Sequence, residues 1–155
     1  MALEIERRFL IKNDSWKKFT IKKIFIEQGY LSKSLDDWII RIRFTGKDFR
    51  IAIKKHIASF TNFEFEYSIP QKDGEKIMSN LSNTIKKDRF YLEIEKKSWI
   101  IDCFKEKNYP LEIAEIELSN EKEDLILPPF ISKEITGLKN LSNFSLTNKP
   151  FSEWK

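Results

Sequence analysis

The fold of this chain is decided near its start, by the stretch Leu3-Glu4-Ile5-Glu6-Arg7-Arg8-Phe9-Leu10. Apolar and charged residues alternate along most of this stretch, and a period of two is the signature of a β-strand. Side chains two positions apart share one face of a strand. Glu4, Glu6 and Arg8 are therefore expected to lie together on a single charged face.

The same alternation returns along most of the sequence. It is rich in Ile and Phe and covers six further segments: 38–44, 50–54, 63–67, 87–94, 99–104 and 113–118. Short polar connections such as Thr45-Gly46-Lys47-Asp48 join them. Seven or eight such strands predict a mainly β fold, an antiparallel sheet or barrel. A chain of 155 residues fits one domain over 1–155.

Short helices are predicted between and after the strands. They cover 15–19, 73–81, the stretch from Asn120 to Pro128, and 138–146. Asn13 or Asp14 is suited to cap the first, and Asn120 with Glu123 has the form of a capping box. One group of lysines is interpreted as the solvated coat of a helix, not as a nucleic-acid surface: Lys17, Lys18, Lys22 and Lys23.

The composition excludes several function classes. Lys and Arg total 28 against 24 Asp and Glu, so the net charge of +4 lacks the one-signed profile of a nucleic-acid binder. The four glycines are too far apart for a phosphate-binding loop or a dinucleotide fingerprint. One cysteine, Cys103, and one histidine, His56, exclude a structural zinc site and an internal disulfide. No apolar run predicts a membrane span or signal peptide, which favours the cytoplasm.

Charged residues are sorted by strand, with acidic pairs on some strands and basic pairs on others. The basic candidates are Arg8, Arg41, Arg43, Lys54, Lys87, Arg89 and Lys133. The acidic candidates are Glu4, Glu6, Glu64, Glu66, Asp102, Glu115 and Glu117. Periodicity alone leaves two interpretations open: the solvated face of an ordinary sheet, or the interior of a closed barrel.

A barrel interior lined in this way would suit one class of ligand. Arginine grips phosphate with a planar fork of donors. Carboxylates bind Mg²⁺ or Mn²⁺, and either cation would bridge them to phosphate oxygens. The second interpretation therefore predicts a polyphosphate carrying a divalent metal.

The ordered motifs resemble those of the CYTH domain, the triphosphate tunnel metalloenzymes. The start resembles the ExExK signature of that family. Further matches follow along nearly the whole chain: Gln28-Gly29-Tyr30-Leu31, Ile40-Arg41-Ile42-Arg43, Ala52-Ile53-Lys54, Glu64-Phe65-Glu66-Tyr67, Lys87-Asp88-Arg89-Phe90, Trp99 to Phe104, Ala114 to Leu118, and Lys133 to Gly137. The resemblance implies a closed eight-stranded antiparallel β-barrel tunnel with short helices packed outside.

The resemblance also implies roles for individual residues. Glu4, Glu6, Glu115 and Glu117 are expected to bind Mg²⁺ or Mn²⁺, with Asp102 and Glu66 nearby. Phosphates are expected to contact Arg8, Arg41, Arg43, Lys54, Lys87, Arg89 and Lys133. A part in catalysis is expected for Arg8, Tyr30, Glu66 and Lys87. The expected partner is a small-molecule triphosphate, with no nucleic acid and no membrane; a homodimer stays open.

Three positions depart from the family pattern. Position 8 is Arg where Lys is usual, Asn62 stands where Arg is frequent, and Leu141 stands where an aromatic residue is common. Arginine keeps the charge of position 8 but gives up a proton less readily than lysine. No departure removes an expected metal carboxylate.

The favoured interpretation is metal-dependent hydrolysis of inorganic tripolyphosphate, because a short chain leaves little sequence for a base or thiamine pocket. Hydrolysis of thiamine or nucleoside triphosphates is an alternative, as is an adenylate cyclase of the class IV type. A further alternative is a polyphosphate- or nucleotide-binding module without catalysis.

Overall fold

The computed structural model describes residues 2–154 as nine antiparallel strands with a few short helical segments. The strands are β1 (Leu3–Ile11), β2 (Thr20–Tyr30), β3 (Ile39–Phe44), β4 (Phe49–Ala58), β5 (Thr61–Ile69), β6 (Ile85–Ile94), β7 (Lys97–Phe104), β8 (Glu112–Glu117) and β9 (Ile131–Glu134). Two α-helices accompany them, α1 (Gln71–Ser79) and α2 (Asn143–Asn148). Short 3₁₀ segments cover Asp14–Phe19, Glu106–Asn108, Lys139–Leu141 and Phe151–Glu153.

Eight strands close into a barrel. They follow the order β5-β4-β3-β2-β6-β7-β8-β1, and pairing of β1 with β5 completes the ring. The ninth strand, β9, pairs with the end of β1 and stays outside the ring. The predicted closed eight-stranded antiparallel barrel is therefore confirmed.

The two faces of the strands bury different chemistry. On the outer face of β1, β6, β7 and β8 an apolar cluster buries Phe9, Trp99 and Ile101 completely or nearly so. The 3₁₀ segment Asp14–Phe19 adds Trp16, whose ring packs edge-to-face with that of Phe90, with ring centroids 5.0 Å apart. This cluster packs outside the barrel, which leaves the charged faces of these strands to the bore.

A second apolar cluster joins one end of the barrel to the C-terminal segment. It unites Ile85, Phe104 and Ile113 of the strands with Leu141 and Leu146. On the opposite side, α1 packs closely on β4 at Gly74, where an added Cβ would lie 2.1 Å from Cγ of Phe49. Only glycine permits this approach of helix and ring.

Four local predictions need correction or adjustment. The segment from Thr20 to Tyr30, where Lys22 and Lys23 had indicated a helix, is β2. No helix follows Asn120, whose side chain accepts from the amide of Lys122 in a turn. Strand β9 was not predicted. The last helix divides into a 3₁₀ turn and α2. The helices at 15–19 and 73–81 are confirmed, with Asn13 as the first N-cap.

No helix within residues 2–154 has the length and hydropathy of a membrane span.

Candidate functional site

The register between strands places the predicted charged residues on one shared face. Directly opposed residues lie on the same side of a sheet, and Arg8 opposes Glu115, Arg89 opposes Asp102, and Lys54 opposes Glu64. The bore face carries Glu4, Glu6, Arg8, Tyr30, Arg41, Arg43, Lys54, Glu64, Glu66, Lys87, Arg89, Asp102, Glu115 and Glu117. The interior interpretation of the charge pattern is therefore confirmed.

Asp102 is a fully enclosed charge of the bore. Nε and Nη2 of Arg89 donate to its two oxygens at 2.8 and 2.9 Å, and Nζ of Lys87 lies 2.8 Å from Oδ2. Asp102 and Lys87 are both fully buried. Burial alone would raise the pKa of Asp102, but the two cations hold it well below its usual range.

Lys87 is held in a mixed electrostatic environment. Burial lowers its pKa to about 7, with Arg89 and Arg43 acting in the same direction and Asp102 opposing them. Its Nζ also donates to Oδ1 of Asn143 at 2.9 Å. A lysine that titrates near neutral pH can exchange a proton with a reacting group.

Arg8 joins the bore to the C-terminal segment. Its Nε donates to Glu115 at 3.1 Å and its Nη1 donates to the carbonyl of Leu141 at 2.9 Å. Its third nitrogen, Nη2, is buried without a hydrogen-bond partner among residues 2–154. Burial would raise the pKa of Glu115, but Arg8 and Arg89 lower it below the usual value.

Arg41 and Arg50 share one carboxylate of the bore, that of Glu66 on β5. Glu66 accepts from Nη2 of Arg41 at 2.8 Å and from Nε of Arg50 at 3.1 Å. Burial would raise the pKa of Glu66, but these arginines lower it. Nε of Arg41 is buried and has no partner in the described chain.

Arg43 differs from the other basic residues of the bore because no described carboxylate lies within 4.0 Å of it. Its Nε donates instead to the neutral Oε1 of Gln28 at 2.9 Å. Burial, together with Arg41 and Arg89, lowers its pKa to about 9, so the guanidinium is still charged at neutral pH. The part of the bore around Arg43 and Gln28 therefore carries positive charge that no described carboxylate nearby neutralises.

Lys54 neutralises part of the negative charge at the end of the bore that holds Glu4 and Glu64. Its Nζ lies 2.6 Å from Glu4 and 3.9 Å from Glu64. Burial would lower the pKa of Lys54, but Glu4 and Glu6 raise it. Asn62 adds a hydrogen bond to Glu4 at 3.2 Å, so the amide that departs from the family pattern contacts a predicted metal ligand.

Glu6 and Glu117 face each other across β1 and β8. Neither has a cation within 4.0 Å among residues 2–154. Burial, with Glu115 and Glu4 nearby, raises the pKa of Glu6 to about 8. Burial and Glu4 also raise the pKa of Glu117. Glu6 and Glu117 are thus carboxyl groups of the bore without a described basic partner within 4.0 Å, and Glu6 keeps its proton at neutral pH.

Carboxylate oxygens of this kind are the donors that hard divalent cations prefer. Within residues 2–154, however, no three acidic, histidine or cysteine side chains are already gathered closely enough to hold a metal ion. Glu4 and Glu115 are engaged with Lys54 and Arg8. Both oxygens of Asp102 and of Glu66 are likewise engaged with basic side chains.

Tyr30 lies where the bore meets the C-terminal segment. Its hydroxyl accepts from Nε2 of Gln28 at 2.9 Å, and its ring meets the edge of Phe144 at 5.4 Å. A groove of about 750 Å³ begins beside it and is bordered by Ile77, Leu81 and Phe144. Tyr30 thus borders both the charged bore and a partly apolar groove.

One predicted residue is not brought to the bore. Lys133 lies on the exposed strand β9, outside the closed ring, and makes no ion pair with residues 2–154. Conversely, Arg50, Gln28 and Asn62 are bore residues that were not predicted as part of the site. Arg50 had a usable signal, because it precedes Lys54 by four positions on the same face of β4.

Comparisons with known proteins agree with this architecture, although no protein-family model matches the chain. The inorganic triphosphatase of Acetivibrio thermocellus is 30% identical over 157 aligned positions, covering 100% of this chain and 99% of that protein. The crystal structure of the inorganic triphosphatase NE1496 aligns with a TM-score of 0.67 at 25% identity, over 95% of each chain.

A more distant structure shares the fold. HpAC1 from Hippeastrum, a candidate adenylyl cyclase with a dominant triphosphatase activity, gives a TM-score of 0.58 at 13% identity, over 77% of this chain and 80% of that one. Three findings lead to one assignment: a full-length relative at 30% identity, a closed eight-stranded barrel, and a bore lined by both acidic and basic side chains. The chain belongs to the CYTH family, the triphosphate tunnel metalloenzymes.

Proposed function

We propose that this protein hydrolyses a triphosphate in the bore, with inorganic tripolyphosphate as the favoured substrate. The observation that carries the proposal is a set of buried guanidinium donors without acceptors: Nη2 of Arg8 and Nε of Arg41. A buried donor left without a partner is costly, on the order of 1–3 kcal/mol. Phosphate oxygens are the acceptors that arginine binds best.

Arg43 supports the same proposal. It is charged and half-buried, with only a neutral amide as partner. Together with Arg41 and Arg89 it forms a positive region that a polyanion would neutralise. Phosphoryl transfer depends mainly on such positioning and charge stabilisation.

Members of this family depend in general on a metal ion, and we assign that role here to Mg²⁺ or Mn²⁺. The hard oxygen donors fit these cations. Glu6 and Glu117 would hold the ion, with Glu4 and Glu115 completing the set. When bound, it supplies Lewis-acid polarisation of phosphate oxygens.

Ion pairs within the bore would change partners when substrate binds. Arg8 would release Glu115 and take a phosphate oxygen, and Lys54 would release Glu4. Each released carboxylate becomes available to the cation at the moment that each basic group gains an anion. Metal and triphosphate are therefore expected to bind cooperatively, because either one alone leaves buried charge unpaired.

The remaining predicted residues have supporting roles in this proposal. Asp102 holds Arg89 and Lys87 in place, and Glu66 holds Arg41. The uncharged form of Lys87, which is populated at neutral pH because its pKa lies near 7, accepts a proton from the attacking water. Tyr30 contacts a phosphate oxygen where the bore meets the C-terminal segment.

A second candidate, hydrolysis of a nucleoside or thiamine triphosphate, is favoured by one observation. The groove beside Tyr30 has a volume of about 750 Å³, which suits a small organic group.

A phosphate-release panel separates these functions. Tripolyphosphate, thiamine triphosphate, ATP and pyrophosphate are supplied with Mg²⁺ or Mn²⁺, and cyclic AMP is assayed in parallel. The proposal expects tripolyphosphate to give the highest kcat/KM. Cyclisation of ATP without turnover of tripolyphosphate would replace it with the cyclase alternative, and tight metal-dependent binding without turnover would leave a binding module.

Two matched variants locate the activity in the bore. Arg43→Gln removes the uncompensated charge and is expected to raise KM for tripolyphosphate by roughly tenfold or more. Lys47→Gln removes one positive charge at the exposed turn between β3 and β4 and is expected to leave KM unchanged.

A further inference from the structure

Gln28 is a buried polar residue whose hydrogen bonds join two groups of the bore. It has no exposed surface and lies on β2, directly opposite Arg43 of β3. Its Oε1 accepts from Nε of Arg43 at 2.9 Å. Its Nε2 donates to the hydroxyl of Tyr30, two residues along the same strand face, also at 2.9 Å.

The orientation of this amide follows from the chemistry of its neighbour. A guanidinium has donors and no acceptor, so only the carbonyl end of Gln28 can face Arg43. The NH₂ end must then face Tyr30. A phenol oxygen that accepts a hydrogen bond in this way has its own proton directed to another acceptor.

No acceptor for the proton of the Tyr30 hydroxyl is present among residues 2–154. The hydroxyl lies on the bore face, opposite Arg41. An anionic phosphate oxygen in the bore is the acceptor that this arrangement lacks.

We propose that Gln28 is a positioning residue: by holding Arg43 at one end, it turns the proton of the Tyr30 hydroxyl toward bound phosphate. This inference rests on the proposed triphosphatase function and goes beyond it, because it gives the Tyr30 hydroxyl one defined role, that of a hydrogen-bond donor. It also gives the buried amide a purpose that a merely structural residue would not have.

Gln28→Glu tests the direction of the hydrogen bond. The new carboxylate still accepts from Arg43 but has no proton to donate. The Tyr30 hydroxyl must then donate to that carboxylate, so it no longer donates a hydrogen bond to the substrate. Gln28→Glu and Tyr30→Phe are each expected to lower kcat for tripolyphosphate on the order of a hundredfold. The double variant is expected to be no slower than either single variant.

The double variant also separates hydrogen bonding from added charge. If the new carboxylate acted only through its negative charge, it would slow the enzyme by the same factor in the Tyr30→Phe background. Multiplicative losses in kcat would therefore overturn the proposal.

Gln28→Met serves as the control for packing. It fills the same space without either hydrogen bond, so it releases Arg43 but leaves the proton of Tyr30 free. A raised KM with kcat reduced less than in Gln28→Glu supports the proposal. Equal loss of kcat in both variants, at unchanged thermal stability, would show that the direction of the Tyr30 proton does not decide kcat and would overturn the proposal.

A spectroscopic measurement keeps this inference distinct from the proposed function. The Raman doublet of tyrosine differs between a hydroxyl that accepts and one that donates a hydrogen bond. Without substrate, the difference spectrum between the unmodified protein and Tyr30→Phe should show an accepting hydroxyl, and Gln28→Glu should change it to a donor. An unmodified protein without triphosphatase activity would refute the proposed function, whereas a donating hydroxyl in the substrate-free unmodified protein would refute the role of Gln28.

Discussion

Glu6 and Glu117 are cross-strand partners in the bore, and no described cation lies within 4.0 Å of either carboxylate. Every other predicted acidic residue of the bore lies within 4.0 Å of a lysine or arginine. Two adjacent carboxylates without such a partner repel one another. A divalent cation between them would remove that repulsion, and this expectation can be measured.

Glu6→Gln is expected to weaken binding of Mg²⁺ or Mn²⁺ in the presence of tripolyphosphate by roughly tenfold or more. The amide keeps the shape of the side chain but removes the charge that attracts the cation. Calorimetric titration of metal into the protein measures the effect. Glu95→Gln, at the exposed turn between β6 and β7, is the matched control. Equal affinities in the two variants would contradict the metal assignment.

The raised pKa of Glu6 also predicts how the metal-free protein responds to pH. The folded state holds this proton up to about pH 8, whereas the ordinary value is 4.5. Between these values the folded state binds more protons than the unfolded state, so stability falls as the pH rises. Glu117 and Glu64, whose pKa values are also raised, act in the same direction.

Urea unfolding in the presence of a chelator, at about pH 5 and at about pH 8, measures this decline in the free energy of unfolding. Glu6→Gln is expected to reduce the difference between the two pH values, because the amide does not titrate. Added Mg²⁺ should recover stability at the higher pH in the unmodified protein and less in the variant. An identical pH dependence in both would argue against burial of the carboxyl charge.

Most strands could be predicted because each has one apolar and one charged face. Strand β2 could not be predicted in this way, because Ile24, Phe25 and Ile26 are apolar in succession and interrupt the alternation of apolar and charged residues. Its pairing with β6 and β3 decides the conformation there. Strand β9 has four residues and depends on contact with β1, more than a hundred positions earlier. Such long-range pairing leaves little trace in a local pattern.

The members of the site were easier to predict than their partners. Alternation places Arg41 and Arg43 on one face, but it does not show that Arg41 has a carboxylate partner and Arg43 has none. That difference depends on the register between β3, β4 and β5, which closure of the barrel sets. Lys133 was predicted as a site residue because its motif resembles the family, but its strand β9 lies outside the ring.

Arg8→Lys is expected to preserve or raise turnover of tripolyphosphate. Lysine keeps the positive charge beside Glu115 and restores the residue that is usual in the family, with a proton that it can exchange more readily. The carbonyl of Leu141 loses its charged donor, so the free energy of unfolding should fall by about 1 kcal/mol. Steady-state kinetics and urea unfolding measure the two effects.

Arg7→Lys is the control for this exchange, because Arg7 binds Glu134 on the outer face of the barrel. It should leave kcat unchanged. A large loss of kcat in Arg8→Lys alone would show that the guanidinium itself is required at position 8.

Asp102→Asn is expected to destabilise the protein strongly. Asp102 is the common partner of Arg89 and Lys87, and an amide of equal size leaves Lys87 with no described carboxylate within 4.0 Å and Arg89 with only Glu115, at 3.8 Å. Removal of one partner from a buried ion pair costs roughly 3–5 kcal/mol. Urea unfolding of Asp102→Asn against Asp124→Asn, an exposed control, measures the loss. Tripolyphosphate should stabilise Asp102→Asn more than the control, since its oxygens would neutralise the same cations. A variant as stable as the control would show that solvent reaches this pair.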